Sequence, residues 1–198
     1  MESLLLLAIF RLFIPSSVPL SWYLKKRDVR LFGSTNAGAA NMIEIFGPTL
    51  GILTLAIDAS KGALAFWIGH RIGGLDFAYI CGFAAVAGHC LPEALSFRGG
   101  KGIATSLGIL SICGSTVYLK ITILVFGLAF AASGTIVSIA SVISAIFLPL
   151  IAIVTGSPIM AIIFSLQTLV IMYRHKDNLI RFFQGKEKPL LKRVVSEP

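Results

Sequence analysis

An all-α, polytopic membrane helix bundle is the fold class that this sequence predicts, and three observations predict it. The 198 residues are 56% hydrophobic and only 13% charged, about half the charged fraction of an ordinary soluble domain. The mean hydropathy of +0.89 exceeds what one buried core can absorb, because a soluble domain of this size still needs a polar surface. Apolar stretches recur at 4–24, 45–68, 77–91, 103–119, 121–132, 136–154 and 159–173. At roughly 20 residues per crossing helix, the chain has room for about seven spans and no sizeable soluble domain. A single membrane domain, 1–198, is expected, with a basic tail from 175 to 198.

The opening, MESLLLLAIFRLFIP, has an apolar core like a signal peptide's. Glu2 stands where a basic segment belongs and Arg11 interrupts the run, so it reads as the first span. The stretches at 103–119 and 121–132 are short. A helix over 121–132 reaches about 18 Å of a roughly 30 Å hydrocarbon core, so these two read as half-spans or one broken helix. There is no detectable internal repeat, which weakens an inverted-repeat transporter.

Basic residues set the orientation. Lys25, Lys26, Arg27 and Arg30 follow the first span, Arg98 and Lys101 the third, and Arg174, Lys176, Arg181, Lys186, Lys188, Lys192 and Arg193 the last. These are thirteen of seventeen Lys and Arg, and alternate crossing puts all three groups on one side. That side is cytoplasmic by the positive-inside rule, so the N-terminus is expected outside and the C-terminus inside. The net charge of +8 is thus a topology signal rather than a nucleic-acid one. Cys81, Cys90 and Cys113 are odd in number, lack C-x-x-C spacing and sit in apolar runs. They read as reduced packing residues, with no metal site implied.

Polar residues concentrate in three segments on the predicted cytoplasmic side. GSTNAGAAN (33–41) sets Ser34, Thr35, Asn36 and Asn41 around Gly33 and Gly38. Small side chains leave backbone amides open, and such a nest before a helix suits a phosphate, although a plain glycine-rich turn has the same composition. GHCLPEALSFRGGKGIATS (88–106) surrounds Lys101 with Gly99, Gly100 and Gly102 just before an apolar run. A cation on a glycine loop at a helix start is a phosphate grip, while a membrane-edge turn with a snorkelling lysine is the bland reading. It is not a Walker A loop, because Leu95 and Gly102 stand where that motif needs Gly and Ser or Thr, which argues against a nucleoside triphosphatase and leaves a smaller phosphorylated ligand open. YRHKDNLIRFFQGKE (173–187) spaces Arg174, Asn178 and Arg181 by four and three, as one flank of a helix. Ser138 and Ser141 form a weaker fourth segment.

In this order, the motifs resemble the PlsY family, bacterial integral-membrane glycerol-3-phosphate acyltransferases that use acyl phosphate. The family patterns G-S-x-N-x-G-A-T-N-x-x-R, G-H-x-F-P with F-x-G-G-K-G-x-A-T, and R-H-x-x-N-I-x-R with G-x-E appear as GSTNAGAANMIE, as GHCLP with FRGGKGIAT, and as RHKDNLIR with GKE. The resemblance implies acyl transfer from acyl phosphate to the 1-hydroxyl of glycerol 3-phosphate, giving lysophosphatidic acid and phosphate, as the first acylation of phospholipid synthesis. It implies an inner-membrane enzyme with its site at the cytoplasmic face, no cofactor, no nucleic-acid partner, membrane lipid around it, and is compatible with a monomer. By motif position, Ser34, Lys101 and His175 take the catalytic roles. Asn36, Gly38, Asn41, Gly99, Gly100, Gly102, Thr105, Ser141 and Asn178 bind substrate. A substrate phosphate taking the hydroxyl proton and His175 acting as general base are the two mechanisms left open.

Departures from the family pattern include Ala40 for Thr, Leu91 for Phe and Glu44 for Arg. At about 4 Å and an effective dielectric near 20, a unit charge pair is worth roughly 4 kcal/mol before screening, so Glu44 facing phosphate would turn attraction into repulsion. The substitution Glu44→Arg is then expected to lower the KM for glycerol 3-phosphate. A divergent or inactive paralogue is one alternative. The other is a small transporter of a phosphorylated solute, suggested by Asp58 and Lys61 inside the second span.

Overall fold

The computed structural model describes residues 15–90, 99–113, 116–155 and 157–190. Every regular element among them is helical: α1 (Ser17–Lys25), a 3-10 turn (Val29–Leu31), α2 (Ala39–Phe46), α3 (Pro48–Cys90), α4 (Ile103–Ile112), α5 (Thr116–Ala132), α6 (Val137–Val154), α7 (Pro158–Arg174) and α8 (Lys176–Phe183). The all-α expectation holds. Residues 4–14 of the expected first span, Leu91, Glu93, Arg98 and the tail beyond 190 lie outside the described residues.

The expected second and third spans are the two arms of α3, which breaks at Gly73 and Gly74. Gly74 has φ +74°, open to glycine at no steric cost. A Cβ on Gly69 would fall 2.9 Å from Ala78 Cα, so the chain doubles back and arms 48–72 and 75–90 pack together. Glycine also brings α4 onto α3. A Cβ on Gly62 would sit 2.0 Å from the Thr105 carbonyl oxygen, and one on Gly108 only 1.8 Å from that of Ala59. Small residues permit such backbone approach where lipid offers no hydrophobic drive between helices.

Two boundaries differ from expectation. The break expected at Lys120 comes earlier, with α4 ending at Ile112 and α5 starting at Thr116. Lys120 is an exposed residue of α5, and its long stem lets the ammonium leave an apolar helix without breaking it. The segment carrying Arg174, Asn178 and Arg181 is not one helix: α7 and α8 meet at His175 at 60°. His175 has φ −102°, ψ 4°. Both its backbone N–H (3.0 Å) and its ring Nδ1 (2.8 Å) approach the Ile171 carbonyl, which ends α7 there.

Phe66, Tyr79, Phe164 and Tyr118 join α3, α5 and α7. Their edge-on or tilted rings have centroids 5.1 to 5.8 Å apart. Outward, Leu64, Trp67, Ile123, Leu128, Ile153 and Leu169 are each more than half exposed. So broad an apolar surface is costly in water and suits lipid. Pro48–Cys90 and Val137–Val154 are long and apolar enough to cross a bilayer, and the bent pair α7 and α8 qualifies when taken together.

Candidate active site

The first motif is shaped by Asn41. Its side chain is fully buried, accepts from the Ser34 N–H (3.0 Å) and donates to the carbonyls of Val29 (2.9 Å) and Phe32 (3.2 Å). One amide thus ties the turn before the loop to the loop itself. The loop then delivers Gly38 as the N-cap of α2, with no side chain capping it, so first-turn amides of α2 stay available.

The second motif is held from a distance. Gly100 N–H donates to the His89 carbonyl (3.0 Å), and a Cβ on Gly100 would lie 1.9 Å from His89 Nε2, so the loop lies against the imidazole. From the other side Arg174 donates through Nε to the Gly100 carbonyl (3.0 Å) and through Nη2 to that of Gly99 (2.8 Å). Lys101 is carried between these anchors and donates to Asn178 Oδ1 at 2.6 Å. Gly102, with φ +79°, turns the chain into α4.

The third motif forms the elbow between α7 and α8. A carbonyl only accepts, so His175 Nδ1 carries the proton toward Ile171 and Nε2 is left as the acceptor. Burial, then the Lys101 ammonium, pushes the imidazole down to about 3, so it is neutral at pH 7. Asn178 Nδ2 donates to Glu187 Oε1 (2.7 Å), which also accepts from Ser138 (2.9 Å), and Glu187 Oε2 accepts from Arg181 (2.7 Å). The buried Glu187 carboxylate thereby joins the segment after α8 to the start of α6 and orients Asn178 toward Lys101.

These pieces surround a central cavity of about 140 Å³. Its wall contains Gly38, Ala39 and Ala40 at the start of α2, Gly102, Ile103 and Ala104 at the start of α4, Val137 and Ser138 at the start of α6, and His175 and Asn178 at the start of α8. Four helix N-termini around one small space make a strong anion site, since each brings unpaired N–H groups and the positive end of its dipole. An outer polar cavity of about 370 Å³ shares Ser34, Asn36, Lys101 and Asn178 with it and adds Arg174, Lys176 and Arg181. An apolar cavity of about 310 Å³ shares Ala39, Ala40, Leu55, Ile103, Val137, Ser141 and Leu190 and runs on to Phe126 and Leu148. The central cavity therefore lies between a polar compartment and an apolar one.

Of the residues expected in the site, Ser34, Asn36, Gly38, Lys101, Gly102, Ser141, His175 and Asn178 border the central cavity, and Gly99 borders the outer one. Gly100 packs on His89, Asn41 supports the Ser34 loop, and Thr105 faces Gly62 of α3. None of these three borders any of the three cavities described above. Glu44 borders none either; its Oε1 lies 2.8 Å from where a Cβ on Gly33 would be. Asp58 and His89, which do border the central cavity, and the Arg174 clamp were not among the expected site residues. Nor was Glu187, whose only signal was the last letter of GKE. Asp58 Oδ1 accepts from Lys61 (3.1 Å) and from the Ser16 N–H (3.0 Å), so the two intramembrane charges pair with each other.

Comparison with known proteins shows the family. A family model described as glycerol-3-phosphate acyltransferase matches residues 4–185. The glycerol-3-phosphate acyltransferase of Syntrophomonas wolfei subsp. wolfei is 35% identical over 180 residues, covering 88% of this chain and 91% of the relative. That of Finegoldia magna is 36% identical over 180 residues, 89% of each. The crystal structure of PlsY, an integral membrane glycerol 3-phosphate acyltransferase, in its glycerol 3-phosphate form matches with a TM-score of 0.87 at 28% identity, covering 98% of this chain and 99% of that one. The lysophosphatidic acid form matches with a TM-score of 0.82 and the same coverage. Since the matched region takes in the first two motifs and the third as far as Gly185, and both structures cover nearly the whole chain, this protein belongs to the glycerol-3-phosphate acyltransferase family.

Proposed function

We propose that the protein transfers a fatty acyl group from acyl phosphate to the 1-hydroxyl of glycerol 3-phosphate. The observation that carries this reading is the sequence of compartments: a polar cavity, an anion site rimmed by helix N-termini, and an apolar cavity, joined through shared walls. Glycerol 3-phosphate suits the polar side and a fatty acyl chain the apolar side, so the acyl carbonyl and the hydroxyl meet between them. Holding two reactants in one place is itself a large part of such catalysis.

The hydroxyl oxygen attacks the acyl carbon, the bond from that carbon to the phosphate oxygen breaks, and its electron pair leaves with phosphate. Lysophosphatidic acid and inorganic phosphate result, the hydroxyl proton ending on phosphate. A phosphate monoester, whose second pKa is about 6, can take the hydroxyl proton near neutral pH. We therefore assign the proton to a reactant phosphate, with His175 Nε2 aligning the hydroxyl and Lys101 and the helix N-termini stabilising developing charge. The basic loops support an N-terminus outside, about seven spans and a site at the cytoplasmic face of the bacterial inner membrane.

The test is to incubate purified protein with acyl phosphate and glycerol 3-phosphate and to follow both products. Equal amounts of phosphate and lysophosphatidic acid are expected. Phosphate without the lipid would mean hydrolysis, and solute flux in liposomes with neither product would mean transport.

A further inference from the structure

Beyond the three motifs, a short strap follows α8. Glu187 holds it to α6 and α8, and Leu190 N–H donates to the Thr135 carbonyl at 3.2 Å, pinning it to the turn between α5 and α6. Between these anchors Lys188 borders the central cavity, and Leu190 borders both the central and the apolar cavity. The family's G-x-E pattern ends at Glu187, and Lys188 follows it.

Lys101 and Lys188 are the basic residues on the central cavity's wall among the described residues. Lys101 also borders the outer polar cavity and is bonded to Asn178. Lys188 borders only the central one and, among the described residues, forms no hydrogen bond or ion pair. Its strap lies where the central and apolar cavities meet, on the side suited to the acyl donor. Asp58, the carboxylate on that wall, is already paired with Lys61.

We propose that Lys188 is a specificity-determining residue that binds the phosphate of the acyl phosphate donor, as a second cation on the cavity wall that Lys101 also borders. The inference rests on the acyltransferase reading above and goes further by dividing the two cations between the two reactants. Both anchors of the strap leave the lysine stem free to reach a phosphate, and an ammonium is a compact point charge suited to that task.

Steady-state kinetics of wild type, Lys188→Gln and Lys188→Arg, each checked for an unchanged melting temperature, test it. Wild type without acyl transfer would overturn the functional reading itself. With an active wild type, Lys188→Gln is expected to raise the KM for acyl phosphate about tenfold, as for loss of one charge-assisted contact. The inhibition constant of inorganic phosphate competing with donor should rise alongside, the KM for glycerol 3-phosphate should stay within about twofold, and Lys188→Arg should restore most of the donor affinity. An unchanged donor KM, a rise confined to glycerol 3-phosphate, or a fall in kcat alone would overturn the proposal, the last because it marks a merely structural strap. Loss that depends on anionic lipid in the assay vesicles would assign Lys188 to the membrane surface instead.

Discussion

The two loops that bring polar groups to the central cavity are held in opposite ways. The 33–38 loop is organised from within its own segment: Asn41, seven residues on, bonds Ser34 and two carbonyls upstream. The 99–102 loop depends on partners remote in sequence, with Arg174 on one side and His89 on the other. A locally braced loop keeps its shape as long as its helix stands, whereas the second is positioned only once α3, α4 and α7 have packed. Lys101 therefore reports on the whole bundle, and Ser34 mainly on its neighbourhood.

Breaking the remote clamp should cost most. Arg174→Gln leaves the Gly99 and Gly100 carbonyls without their guanidinium, and a displacement of Lys101 by about 1 Å is enough for a roughly 100-fold fall in kcat/KM. Acylation kinetics on folded variant protein measure this. Asn41→Ala should cost less, about tenfold in kcat/KM, as expected for losing the partner of a few buried groups; Asn41→Asp, which cannot donate, should fall between wild type and alanine.

The elbow between α7 and α8 gives a prediction in pH. Because the folded-state His175 titrates at about 3 and an unfolded histidine near 6.5, the unfolded chain binds the extra proton between these values. Stability supplied by a neutral His175 is therefore complete above about pH 6.5 and lost as pH falls toward 3. His175→Gln should flatten the dependence of melting temperature on pH in that window. In the same account kcat/KM shows no His175 inflection near 6.5, whereas a general-base histidine would need a pKa close to the working pH.

The smallest effect is expected at Glu44. Its side chain lies beside Gly33 and borders none of the described cavities, so direct repulsion of bound phosphate is absent from this arrangement. Glu44→Arg is still expected to lower the KM for glycerol 3-phosphate, because it adds positive charge next to the Ser34 loop, but by about twofold rather than by the full worth of a contact pair.

Much of this was legible in the sequence, because a few polar and small residues stand out against an apolar background. Ser34, Asn36, Lys101, His175 and Asn178 were found that way, and the structure gathers them at one cavity. Thr105 borders none of the three cavities, because motif neighbours need not share a face. Successive helical residues turn by about 100°, so Ile103 and Ala104 border the cavity while Thr105 meets α3. Arg174 looked like a member of a basic flank, and only folding gives it glycine carbonyls 74 and 75 residues away. His89 and Asp58 were likewise visible as residues but not as cavity walls, since their placement follows from the reversal at Gly73 and Gly74 and the close packing of α4 on α3.

The central claim is that one cavity serves both reactants, with Lys101 at the place where they meet. Measuring lysophosphatidic acid and phosphate together from purified wild type and Lys101→Met tests it most directly. Equimolar products are expected from the wild type and near-complete loss of both from the variant, with its melting temperature preserved. Acyl transfer that persists in folded Lys101→Met at close to the wild-type rate would contradict it.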